Sequence, residues 1–65
     1  MIRLTEAEAA TKAYDSTATV KSESGVSHLI SCWHDESADV ILARAAKFYE
    51  QPMAEVVNIN QIWTR

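Results

Sequence analysis

"DESADVILARAAKFYEQP", residues 35–52, settles more of the architecture than any other part of the chain. Ala38, Ile41, Leu42, Ala45, Phe48 and Tyr49 recur three and four residues apart, which sets them on one face of a helix. Asp35, Glu36 and Asp39 stand at its start, and Arg44 and Lys47 nearer its end, as the helix dipole favours. Either Asp35 or Ser37 is placed to cap the first turn. Pro52 stops the pattern. The small alanines on the inner face let such a helix lie close to a sheet.

Upstream, "TATVKSESGVSHLISCW", residues 17–33, has the pattern of a hairpin. Thr17, Thr19 and Val20 are β-branched and suit a strand. Gly25, the only glycine in the chain, supplies the positive φ of a tight turn at residues 22–25. The second strand is then expected over about residues 26–33. Its buried face stays open, because Leu29 and Trp33 compete with Ile30 and Cys32. Further upstream, Thr5 followed by Glu8 forms a capping-box pattern. Leu4, Ala7, Thr11 and Tyr14 follow at helical spacing, so a helix is expected over residues 6–14, ended by Asp15 and Ser16.

Downstream, "AEVVNINQIW", residues 54–63, alternates as a strand. Val57, Ile59 and Trp63 fall on one face, and Val56, Asn58, Asn60 and Ile62 on the other. The two asparagines are expected to face water. The expected fold is therefore one small α+β domain over residues 1–65. Its order is α-β-β-α-β, with a three-stranded antiparallel sheet and one main helix packed on one face. The other sheet face is left for the first helix or for a partner.

Composition narrows the functions. A 65-residue chain buries only about 60% of its surface on folding, so a deep catalytic cavity would consume core it needs. Apolar residues make up 48%, an ordinary globular value. The single cysteine, Cys32, precludes an internal disulfide, which fits a reducing cytoplasm. No apolar run is long enough for a membrane span or a secretory signal, so no membrane association is expected. Net charge is −3, and no basic cluster exists, so direct nucleic-acid binding is not expected.

"SCWHDES", residues 31–37, gathers a cysteine, a histidine and two carboxylates. On a strand, His28, Ile30, Cys32 and His34 share a face. Cys32 and His34 would lie about 7 Å apart and His28 roughly 13 Å from Cys32, so His28 cannot join them. Zinc needs three or four ligands, and no second Cys or His pair stands at ligand spacing. A cysteine nucleophile needs a base, an orienting group and an oxyanion hole; His34 offers the first alone. The residues instead suit a strand end and a helix start. No catalytic residue, metal or cofactor is expected.

In the order and spacing of "ATVKSESGVSHLISCW", "DESADVILARAAKFY" and "AEVVNINQIW", the chain resembles small phage-encoded inhibitors of host machinery. These are the phage inhibitor of host RNA polymerase and small anti-CRISPR proteins, built as a hairpin, an alanine-rich helix and a closing strand. In the polymerase inhibitors, arginines on the final strand make key contacts. Here Asn58, Asn60 and Gln61 stand there and the only nearby arginine is Arg65, so no functional residue carries over.

The resemblance implies a non-enzymatic protein in the host cytoplasm that occludes a surface of a larger complex, either a CRISPR effector or RNA polymerase. The partner would be a protein or ribonucleoprotein. Its expected contacts are His34, Asp35, Glu36, Asp39, Asn58, Asn60, Gln61 and Trp63, the carboxylates meeting basic grooves on the target. Two alternatives differ in kind. One is a self-assembling structural or regulatory module, such as a homodimer joined through the final strand. The other is a small metal or cysteine enzyme built on Cys32 and His34.

Overall fold

The computed structural model describes all 65 residues, Met1–Arg65. In chain order the elements are β1 (Ile2–Arg3), α1 (Glu6–Ala9), β2 (Ser16–Ser22), β3 (Ser27–Cys32), α2 (Ala38–Tyr49), β4 (Met53–Gln61) and β5 (Trp63–Thr64). The main sheet is antiparallel and runs β3-β2-β4, so β2 is central. The α+β class, the three-stranded sheet and the single main helix are as the sequence predicts.

The hairpin turns where the glycine stands. Gly25 has φ +91°, and its amide donates to the Ser22 carbonyl at 2.9 Å. The Ser22 hydroxyl accepts from the Val26 amide at 3.1 Å and fastens the turn from inside. Ala18 faces Ile30 on one side and Ile59 on the other, which fixes the register of all three strands.

Helix α2 begins at Ser37, whose hydroxyl accepts from the Val40 amide; of the two capping residues the sequence allows, the serine takes the position. It ends at Glu50, which holds the left-handed conformation at φ 55°. Ile41 and Ala45 of α2 are fully buried against Ala18, Val20 and Cys32 of the sheet. Ile30, Leu42, Tyr49, Met53 and Val56 pack around this cluster. The β3 face left open by the sequence is thereby settled: Ile30 and Cys32 turn towards α2, and Leu29 is 62% exposed.

Four expectations are corrected. The first helix ends at Ala9 and does not reach residue 14. Its capping box forms, with Thr5 and Glu8 bonded reciprocally. Without a packed face so short a helix has little to sustain it. Tyr14 is drawn instead to the Trp33 ring, 5.6 Å away, and Asp15 to the start of β2. The second correction concerns the helix stripe. Phe48, placed on the inner helix face by its spacing, is 72% exposed, and Ala38 is exposed too. The sheet is narrow, so it covers only the central part of that stripe.

The third correction concerns β4. A register shift between Thr19 and Val20 leaves Val57 without a partner on β2. Val56 is thereby set opposite Val20 and against the core. The fourth concerns the last strand's end. It breaks at Ile62, and Trp63–Thr64 pairs in parallel with Ile2–Arg3. A two-residue strand shows no period in a sequence, so nothing local announces this pair. Asn58 and Asn60 are exposed, as their chemistry demands. No helix is long and apolar enough to cross a membrane.

Candidate binding surface

The segment from β3 to α2 meets the ends of β2 and β4 at one end of the sheet. Asp15, directly before β2, is 4% exposed. Its carboxylate accepts from the Ser16 hydroxyl at 2.9 Å and from the His34 amide at 2.8 Å. It also binds His34 Nδ1 at 2.5 Å. His34 therefore does not continue β3, which stops at Cys32. Its ring is turned back onto Asp15, with the side chain 52% exposed.

The electrostatics follow from these contacts. Burial works to raise the Asp15 pKa, but the bonds from the His34 ring, Ser16 and the His34 amide outweigh it, and the pKa is lowered. The hydrogen bond to Asp15 raises the His34 pKa, with the charges of Asp15 and Asp35 adding to it. Asp15 is thus a carboxylate, and Nδ1 is its donor. That leaves Nε2 directed away from the pair.

Aromatic rings form the wall beside this pair. Trp63 is buried, and its Nε1 donates to the Tyr14 carbonyl at 2.9 Å. Trp33 lies edge-on to it, with ring centroids 6.2 Å apart, and also against Tyr14. Gln61 is held by a 3.1 Å bond from its amide to the Trp63 carbonyl. Together they bound an open groove of about 380 Å³ whose lining includes Trp33, His34, Asp35, Gln61, Trp63 and Arg65.

Of the eight contact residues expected from sequence, four converge here: His34, Asp35, Gln61 and Trp63. Glu36 sits behind them and is engaged inside the chain. Its carboxylate accepts from Arg44 Nη1 at 2.9 Å, from Arg44 Nη2 at 2.7 Å and from the Trp33 amide at 2.7 Å. The bond from Arg44 lowers the Glu36 pKa against the effect of burial. Asp39 is exposed in the first turn of α2, outside the groove. Asn58 and Asn60 lie elsewhere, in a shallow depression on the open sheet face with Thr17, Thr19 and Leu29.

Asp15 is the residue that sequence reading misses. It stands where a helix was expected to end, and its partner His34 is nineteen residues away. Cys32 belongs to the core. Its side chain is fully enclosed, and burial raises the thiol pKa, the opposite of what a nucleophile needs. No three of the His, Cys, Asp and Glu side chains gather as metal ligands would.

Chemically, the groove offers indole faces, an imidazole fixed through one nitrogen, and the Asp35 carboxylate, which has no ion-pair partner. Arg65 lines the same groove, so it presents both signs of charge beside its aromatic wall. Compared with protein-family models, with curated proteins and with solved structures, the chain matches none.

Proposed function

We propose that this protein is a non-enzymatic binding module that docks on a larger host complex and occludes its working surface. The observation that carries the reading is the groove at the sheet end, where His34, Asp35, Gln61 and Trp63 converge on a rigid aromatic wall. A preorganised surface loses little freedom on binding, which favours recognition by a small domain. Unpaired Asp35 in the groove and exposed Asp39 in the nearby helix turn supply negative charge on this side, with Arg65 beside them, and the chain as a whole carries −3. Basic grooves that hold nucleic acid are complementary to that negative charge. A CRISPR effector or RNA polymerase, the targets implied by the resemblance, presents that kind of groove.

The test is affinity capture from bacterial lysate with the wild-type chain and Asp35→Lys/Asp39→Lys side by side, followed by activity assays on whatever complex is retained. One stoichiometric complex, inhibited by the wild type and lost with the variant, is the expected result. Equal retention by both proteins removes Asp35 and Asp39 from the interface. Failure of the wild type to retain or inhibit either class of complex overturns the inhibitor reading.

A further inference from the structure

The sheet has two outer edges, and the chain treats them differently. On β3 two of the outward carbonyls are covered. The Tyr49 hydroxyl donates to the Leu29 carbonyl, and Arg44 Nη2 donates to the Ser31 carbonyl at 3.2 Å. Both donors come from α2, which reaches over that edge and closes it to another strand. The β4 edge has no such cover. No side-chain hydrogen bond of the chain ends on the backbone of Met53–Gln61.

Open edges are ordinarily defended by lysine, proline or charge. Within β4 the only charged residue is Glu55, and it faces Lys21 across the sheet. Two register shifts interrupt the strand, at Val57 and at Ala54. Val57 and Ile59 are 52% and 37% exposed, an apolar pair that the chain leaves partly open.

We infer that the β4 edge pairs antiparallel with the β4 of a second copy, about a two-fold axis through Asn58, making one six-stranded sheet. The register follows from elimination. An axis at Val57 would set Ile59 against Glu55, and an axis at Ile59 would set Val57 against Gln61. The axis at Asn58 sets Val57 of each copy against Ile59 of the other, twice, and Glu55 against Gln61. Apolar meets apolar, and the single charge of the strand never meets itself.

Backbone direction agrees. The Ile62 amide donates to Asp15 on the β2 side, and bonded pairs recur every second residue. Asn58 and Asn60 therefore bond inward to β2, and the groups of Ile59 between them point outward; the alternation is interrupted at the shift at Val57. A second copy also answers a shortage. The core cluster has five buried residues, and the chain has no disulfide to supplement it. Chains of this size commonly add association to such a core. The inference does not rest on the inhibitor reading: it is argued from the strand edge alone, which shares only Gln61 with the groove at the sheet end.

Sedimentation of the wild type across micromolar concentrations should give a dimer that dissociates on dilution. A monomer throughout overturns the inference. Val57→Lys/Ile59→Lys alters only exposed side chains and should be monomeric, with the circular dichroism spectrum unchanged. A folded variant that dimerises like the wild type overturns the assignment of the edge. Asn58→Cys gives an independent reading. Facing Cα atoms at a non-bonded antiparallel pair lie about 4.5 Å apart, within disulfide reach. This variant should form a cross-linked dimer about tenfold faster than Asn60→Cys, whose copies sit four registers apart. Equal rates overturn the register.

Discussion

Asp15 collects a hydroxyl, an amide and an imidazole on one buried carboxylate, and so ties the start of β2 to the segment that leads into α2. The pair carries a pH signature. His34 has a folded pKa raised above its ordinary 6.5, so the stability it contributes is complete below that value and is lost as pH rises through the folded pKa. Asp15 has a folded pKa lowered from 3.8, so its contribution is complete above 3.8 and is lost as pH falls through the folded pKa. The pair is therefore strongest between these two ordinary values. In Asp15→Asn the imidazole loses its anionic partner. NMR titration should return the His34 pKa towards its ordinary value, and urea unfolding near pH 6 should show a loss of about 1–3 kcal/mol from the weakened bonds at the buried residue 15. An unshifted His34 titration in the variant would sink the pairing.

Among the elements, α2 is well begun and poorly ended. Its first turn has the Ser37 cap and Asp39 beside the dipole. The residue that closes it, Glu50, holds φ 55°, where a side chain is strained and a negative charge meets the negative end of the helix. Glu50→Gly should stabilise the protein by about 1 kcal/mol, read as a higher melting temperature. A lower one would mean that the Glu50 side chain makes a contact worth more than the strain. Sequence reading placed α2 well because twelve residues display three turns of periodicity. It overextended the first helix because a capping box announces a start and carries no information on where packing ceases. Nothing holds residues 10–14 helical once Tyr14 has joined Trp33 and the Arg44 guanidinium, 4.9 Å from its ring.

The whole molecule is held by little. Ten of the 65 residues are buried, and the core cluster is Ala18, Val20, Cys32, Ile41 and Ala45. A chain of this length has roughly 3–10 kcal/mol of stability in total. Ile41 is the largest of the fully buried side chains. Truncating it to a methyl group, Ile41→Ala, removes about 2–5 kcal/mol. That variant should therefore melt roughly 10 °C or more below the wild type. A cooperative melt within a few degrees of the wild type would place the core elsewhere. The same economy bears on Phe48, Leu29, Val57 and Ile62, all large, apolar and exposed. A fold this thin leaves apolar surface for association, and the covered β3 edge directs it towards β4.

Local sequence was enough to settle the α+β class, the hairpin at Gly25, the extent of α2 and the solvent-facing asparagines of β4. Each is written within a few residues, as a period, a cap or a backbone requirement. Of the groove it supplied the membership of His34, Asp35, Gln61 and Trp63, without their meeting. Folding in three dimensions was needed for the rest: that Asp15 fixes His34, that Arg44 withdraws Glu36, and that Asn58 and Asn60 lie on a different face. The shift at Val57 and the pairing of the two chain ends belong to the same group. These depend on residues brought together across many positions, where side-chain contacts and strand register outweigh local preference. No period in one short stretch can encode where another stretch will lie.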